Sequence, residues 1–419
     1  MKKILFYLLC MTAGVFLYAG ETARRPASAS ETIDSLTFYP HFILRHTMDD
    51  FYKLPKNPVF SGGRGNWDQQ DVADPFITVN ADSVILWYDG SRGGGYGIGR
   101  AVLDADGWAW QRLPKVLAPQ SDWHAYHVIA PAFIPGRSHS FIFCGNASDS
   151  ELGYRLGFYN GSVQPLKWAQ NPPQWDADGR AYATVILLSD GRGYRMYYTG
   201  FSGPLASISM AESRDGHAWI AHGTPLFSQN MGAIAPFVMY NGREYIMYYA
   251  TLRLDHGFYT ELRRARSRDG IRWQEDSWRL QPSEKWEGKR LMRPHISYFD
   301  GVFHLYYCAQ RGSRWRIGEA QAAAVFERQG RLIFPLRAEQ QVWRISYEAS
   351  PGSRVTFQLK KAASDVSREP ETEVSGARRN GAFHTKLTFE ARAGEQLHIV
   401  LESTNGTVSP VIYKIERLR

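Results

Sequence analysis

The residues with the clearest chemical potential are carboxylates set beside aromatic and apolar strands. Asp74 stands in Asp71-Val72-Ala73-Asp74-Pro75, at the start of an apolar stretch. Asp176 follows Trp175, with Asp178 close behind, and Glu261 ends the run from Asp255. Asp149 and Glu151 form a further acidic pair. Two carboxyl groups on opposite sides of a glycosidic bond can hydrolyse it, one protonated as acid and one ionised as base or nucleophile. They stand roughly 5–5.5 Å apart for retention and about 6.5–9.5 Å for inversion. Asp74 could supply one such carboxyl, and a loop carboxylate, Asp176, Asp178, Glu261, Asp149 or Glu151, the other. A buried carboxylate beside Pro75 needs a partner, and Arg293 is the expected one, serving also as an orienting cation.

Other side chains could hold the substrate. His127 and His295 lie near Ala130 and Arg293, where either could bond a sugar hydroxyl or act as acid. Trp67, Trp175, Tyr126 and Tyr182 are candidate platforms for sugar rings. Trp67, Trp123, Trp175 and Trp286 also recur at similar places, which suits a packing role equally. Arg253, Arg263, Arg264, Arg266, Arg290, Arg293, Arg311, Arg314 and Arg316 could meet an anionic glycan bearing uronate, sulfate or phosphate. No cluster has metal-ligand spacing, so no cofactor is expected, with an axial calcium left open. Gly93-Gly94-Gly95 follows no phosphate-loop pattern.

What must position these residues is a repeat. From Pro75, a step of twelve and thirteen residues reaches Trp87 and Tyr88; from Pro131 it reaches Phe143 and Cys144; from Val185, Tyr197 and Tyr198. The same step runs from Pro236 to Tyr248 and Tyr249, and from Pro294 to Tyr306 and Tyr307. The anchors are 56, 54, 51 and 58 residues apart. Each unit reads as an apolar strand, a turn and an aromatic strand, with turns at Asn80-Ala81-Asp82, Pro135-Gly136, Asp190-Gly191, Asn241-Gly242 and Asp300-Gly301. Ser213-Arg214-Asp215-Gly216 leads to Trp219, Ser267-Arg268-Asp269-Gly270 to Trp273, and Asp106-Gly107 to Trp110. In such turns the Asp caps its own backbone and is structural. Repeats of this length predict an all-β fold, a five-bladed β-propeller over 30–335. Alternation from Val342 onward predicts a small C-terminal β-sandwich over 336–419.

Composition agrees. Of 419 residues, 44% are hydrophobic, 14% aromatic and 21% charged, which excludes wholesale disorder. Thirty-eight Gly and 21 Pro favour short strands joined by turns. Lys2 and Lys3 precede an apolar run from Ile4 to Ala19, with small residues beyond, which reads as a signal peptide and leader over 1–29. A secreted, periplasmic or cell-surface protein is expected, with no membrane span after cleavage. Cys10 lacks the setting of a lipoprotein site, and Cys144 and Cys308 are expected as buried free thiols. A formal net charge of +8, with no basic arm, points away from nucleic acid.

An Asp-Pro opening the first unit, Tyr-Tyr second strands and Ser-x-Asp-Gly-x-x-Trp turns together resemble the five-bladed propeller glycoside hydrolases, the superfamily of arabinanases, xylosidases, invertases and levansucrases. The resemblance spans about residues 55 to 322. It implies an axial funnel lined by the starts of the innermost strands. It also implies an Asp base or nucleophile from blade one, a second Asp from blade two and a Glu acid from blade three. The aligned positions are Asp74, Ala130, Thr184, Ala235 and Arg293, so Asp74 matches while Ala130 and Thr184 depart from the pattern. The tail resembles accessory β-sandwiches of secreted carbohydrate-active proteins. The resemblance implies an exported glycoside hydrolase-like enzyme with Asp74 as base or nucleophile and a loop carboxylate, Asp176 or Glu261, as the acid. The alternatives are a non-catalytic glycan-binding propeller, or a structural propeller serving assembly at the envelope.

Overall fold

The structure is a computed structural model that describes residues 31–33 and 51–417 apart from 81–82, 105–108, 121, 136, 138–139, 151, 171–172, 189–192, 230–231, 241–243, 254–258, 300–301, 324–329, 336–340, 350–352, 362–366, 369–371, 380–381, 392–394 and 404–410. The expected signal peptide, Glu151, the run Asp255 to Phe258 and most of the short hairpin turns lie outside the described residues.

The described chain is almost entirely strand, with no α-helix and no helix long and apolar enough to cross a membrane. After β1 (Glu31–Ile33) and β2 (Tyr52–Lys53) come β3 (Asp71–Asn80), β4 (Ser83–Ser91), β5 (Gly97–Leu103) and β6 (Trp110–Arg112) as one antiparallel sheet. The next sheet holds β7 (His127–Phe133), β8 (Phe141–Asn146), β9 (Arg155–Tyr159) and β10 (Val163–Pro165). Another holds β11 (Lys167–Trp168), β12 (Gly179–Leu187), β13 (Tyr194–Ser202), β14 (Leu205–Ser213) and β15 (Ala218–Ala221). Two further sets follow: β16 (Ile234–Tyr240), β17 (Tyr245–Arg253), β18 (Tyr259–Ser267) and β19 (Gln274–Leu280), then β20 (Arg290–Phe299), β21 (Val302–Arg311) and β22 (Arg314–Ala323). These two sets share one sheet, because β18 pairs with β20 at Thr260 and Arg290. Hydrogen bonding thus divides the region into four sheets and does not itself count blades.

The leading strands form a cycle: β3 packs on β7, β7 on β12, β12 on β16, β16 on β20, and β20 back on β3. β2 pairs with β22, so a segment ahead of β3 completes the last set. Each leading strand is interrupted at one place. Asp74, Ala130, Tyr182, Ala235 and Arg293 all have left-handed φ, between 49° and 57°, each at a shift of register. A left-handed non-glycine residue costs roughly 1–2 kcal/mol, so surrounding contacts must impose it. These bulges correct the alignment in the third set, where Tyr182 rather than Thr184 is the counterpart of Asp74. Thr184 pairs with Tyr197 thirteen residues on, whereas Phe76 pairs with Trp87 eleven on, so a fixed step overshoots by two. Thr184 instead donates to the Pro236 carbonyl at 2.6 Å, tying β12 to β16.

Below the bulges the axis is filled by ring packing. His295 lies 4.1 Å from Phe76 and 4.9 Å from Phe237 between ring centroids. Burial, then the charge of Arg293, lowers its pKa to about 3. A second repeated contact sits outside the leading strands. Trp67 stacks on Tyr88, Trp123 on Phe143 and Trp286 on Tyr307, with centroids 5.8, 5.6 and 6.0 Å apart. Trp175 lies over Gly200, where an added Cβ would stand 2.3 Å from its ring. Behind three of these Trp residues comes an acid that accepts a tyrosine hydroxyl: Asp68 from Tyr88 (2.9 Å), Asp176 from Tyr198 (2.9 Å) and Glu287 from Tyr307 (2.7 Å). Arg112, Arg180 and Lys53 pair with these acids in turn. The Ser-x-Asp-Gly turns also close as expected. Asp269 accepts the Ile271 and Arg272 amides, both at 2.8 Å, and those bonds hold its carboxyl down to about 2.

The C-terminal strands are β23 (Gly330–Pro335), β24 (Gln341–Ala349), β25 (Ser353–Lys361), β26 (Ser367–Arg368), β27 (Thr372–Arg379), β28 (Ala382–Ala391), β29 (Glu395–Ser403) and β30 (Val411–Arg417). They form two antiparallel sheets, β1-β30-β24-β28-β27 and β23-β29-β25-β26. Tyr347 meets Phe357 between the sheets at 5.1 Å.

Two outcomes are expected. Asp176→Ala strips Arg180 and Tyr198 of a fully buried partner, so denaturant unfolding should report a loss of about 3–5 kcal/mol. His295 binds fewer protons folded than unfolded between about pH 6.5 and 3, so native stability should fall on acidification through that window. Urea titrations of His295→Leu across the same range should show a shallower slope than the native protein.

Candidate functional site

Above the ring-packed layer a cavity of about 240 Å³ opens around the bulges, with Asp74, Asp89, Tyr96, His127, Asp149 and Tyr182 in its lining. The bulges explain why these side chains meet. A left-handed residue turns its side chain out of the alternation of the strand and leaves its own N–H without a ladder partner. The second strand of the preceding set meets that N–H. Asp89 accepts it from Ala130 at 3.1 Å, Cys144 Sγ from Tyr182 at 3.1 Å, and Thr199 Oγ1 from Ala235 at 2.9 Å.

Asp74 and Asp89 are both buried and line the same cavity, near enough for each carboxyl to act on the other. Burial first, and the Asp74 charge second, push the Asp89 carboxyl well above its ordinary range. Cys308 Sγ lies 3.9 Å from Asp74 Oδ1 and 3.4 Å from the Met292 carbonyl, alternative acceptors for its single S–H. Both thiols are free and buried, and burial raises Cys144 to about 12. Arg293 is buried beside this group, its guanidinium 5.4 Å from the centre of the Tyr182 ring and Nη1 3.5 Å from the Ala183 carbonyl. Its charge favours the ionised forms of Asp89 and both cysteines.

His127 forms another wall. Its Nδ1 accepts the Tyr96 N–H at 3.3 Å, so in the neutral ring the proton sits on Nε2, which donates to Asp149 Oδ1 at 3.3 Å. Burial lowers the His127 pKa, with Asp149 opposing. The Asp149 side chain is 78% exposed, which puts it at the mouth. Tyr126 packs edge-on against His127 at 4.6 Å.

The structure therefore brings Asp74, His127 and Tyr182 to one cavity, with Arg293 and Tyr126 directly behind its lining. It does not bring Asp176, Glu261, His295, Trp67 or Trp175 there. Asp176 is held by Arg180 and Tyr198. Glu261 is buried on β18 and bonded to Arg263 and Gln281, both at 2.8 Å. His295 belongs to the packed layer below, and the two Trp residues to the sheet contacts described above. Asp89 escaped the sequence reading, although one signal pointed to it: a carboxylate directly after Trp87-Tyr88, in a strand otherwise apolar. Arg290, Trp315 and Cys308 also line the cavity. Among the described residues no three His, Cys, Asp or Glu side chains converge as a metal-ion cage.

No family model matches the chain. Uncharacterized protein Rv1502 of Mycobacterium tuberculosis is 24% identical over 238 residues, 50% of this chain and 78% of that one. Among solved structures, a BT0996 RGII complex superposes with a TM-score of 0.54 at 18% identity, covering 64% of this chain and 92% of the other. A second, described as a glycoside hydrolase, gives 0.54 at 19% identity over the same shares, 64% and 92%. A glycosyl hydrolase from Bacteroides ovatus gives 0.52 at 15% identity, covering 67% and 96%. The chain thus has the propeller fold of the glycoside hydrolases.

Proposed function

We propose that this chain is an exported glycoside hydrolase-like protein that acts on a carbohydrate, with Asp74 as base or nucleophile. The observation that carries the reading is the Asp74–Asp89 pair on the cavity wall, set against the buried cation of Arg293. A carboxylate in that setting is already desolvated and oriented, as acid–base work on a glycosidic bond requires. Its counterpart as acid is the His127–Asp149 pair on another wall. Asp176 and Glu261 do not line the cavity and are already held by arginines. The cavity is smaller than the roughly 300–1,000 Å³ of pockets for drug-sized ligands, which favours one sugar ring over a chain. Arg290 in its lining favours an anionic substituent on that sugar. The basic start and the apolar run from Ile4 to Ala19 support export. The C-terminal strands act as an accessory module, which begins at β23 (Gly330–Pro335) rather than at residue 336 and takes in β1 from ahead of the propeller.

A second reading, glycan binding without turnover, draws on Ala130 and Tyr182. Both stand at counterparts of Asp74 where the superfamily pattern has an acid, and neither can titrate near neutral pH.

The test is hydrolysis of an oligosaccharide panel that includes uronate-bearing members, with binding measured in parallel. Asp74→Asn should cut kcat by about 10²-fold or more while ligand still binds. Turnover that survives the substitution removes Asp74 from the mechanism. Native protein that binds glycan and never cleaves it supports the second reading. Asp149→Asn should lower kcat and displace the alkaline limb of the rate profile, where the general acid loses its proton; an unchanged limb moves the acid elsewhere.

A further inference from the structure

We infer that Asp89 is the positioning residue for Asp74 and holds a proton between them, so that the two carboxyls act as one singly charged unit. This rests on the reading of Asp74 as the reacting carboxylate.

Asp74 and Asp89 are buried side by side on one cavity wall, and since ionised carboxylates only accept hydrogen bonds, the two can bond to each other only with a proton on one of them. Asp89 is 2% exposed, so water cannot stand in for that proton. Its Oδ1 is fixed by the Ala130 N–H, which sets the direction in which the rest of the carboxyl meets Asp74. The repeat supplies an internal comparison. At the counterpart of Asp89, Cys144 and Thr199 accept the neighbouring N–H with uncharged side chains. Capping that N–H therefore does not call for a carboxyl. The carboxyl occurs in the set whose leading strand carries Asp74, which ties its extra chemistry to Asp74.

The groups facing Asp89 are Asp74 on β3, Arg293 on β20, Cys144 on β8, Cys308 on β21 and Tyr96 ahead of β5. Both thiols and the phenol are pushed upward by burial and stay neutral near pH 7. Among these groups only Arg293 offsets negative charge, and one cation balances one carboxylate. A second ionisation would leave a net buried charge, which keeps Asp89 protonated while Asp74 is ionised.

The experiment uses the full chain and the variants Asp89→Asn and Asp89→Thr. Asn keeps both an acceptor for Ala130 and a donor toward Asp74; Thr keeps the cap that Thr199 shows to be compatible with the fold. Infrared difference spectra at neutral pH should show a protonated buried carboxyl in the native protein that is absent from both variants. The folded state then holds a proton that the unfolded state has released. Native stability should therefore fall as pH rises above the ordinary Asp pKa of about 4, and Asp89→Asn should flatten that slope. On any substrate that is turned over, Thr should lower kcat about 10²-fold with little change in KM. Asn should recover much of that loss, with the alkaline limb of the rate profile displaced. No protonated carboxyl in the native protein, or a Thr variant with native kcat and native pH profile, would overturn the inference. The spectra and stability curves need no substrate, so they decide the proton pair even if no glycan is ever cleaved.

Discussion

Charge balance in a space that water hardly reaches is the constraint on which this site depends. Asp74, Asp89 and Arg293 converge among buried neighbours. Two carboxylates against one guanidinium would leave uncompensated charge in a low-dielectric setting, which is far costlier than a shared proton. Protonating Asp89 resolves this: one anion, one cation and one neutral acid remain. The same solution leaves a single negative charge on the wall of the cavity, balanced by the buried guanidinium of Arg293.

That cluster exists because the leading strands all break at the same level. Each bulge puts a residue in the left-handed region, and at Ala130, Tyr182 and Ala235 a side chain of the next-door second strand accepts the N–H. One device thus ties neighbouring sets together and brings Asp74 and Tyr182 into the cavity lining, with Arg293 against the Tyr182 ring. Chemistry is then decided by which residue sits at each bulge: Asp, Ala, Tyr, Ala and Arg. Farther out, Trp–acid–Tyr contacts hold second strands to the loops entering the first, third and fifth sets. The second set departs from that rule in a consistent way. Phe143 lacks the hydroxyl, and the acid's place is taken by His124.

Much of the site was legible from residue type and repeat alone. Asp74 and Arg293 were identified because Pro follows each at the same phase of the unit. Tyr182 was legible as an aromatic near the axis, though not as the counterpart of Asp74, because the third hairpin is longer by two residues. Asp176 drew attention for a misleading reason. A carboxylate after Trp looks the same in sequence whether it faces a substrate or a tyrosine hydroxyl, and only the partners Arg180 and Tyr198 distinguish the two. Asp89 was overlooked for the converse reason. It sits in the middle of a strand, where sequence suggests packing, and it becomes chemical only because β7 brings Ala130 alongside.

By itself, then, the order of residues determined the all-β character, the period near fifty and the identity of the charged residues at two of the bulges. Those follow from local preferences: alternation, turn formers and proline, each legible within a few residues. Tertiary structure alone decided which carboxyls are paired with cations, which are shielded and which stand side by side. Those properties depend on burial and on partners from strands as far apart as Asp74 and Cys308. Electrostatics acts through space, and the chain order carries no measure of that distance until the ring has closed.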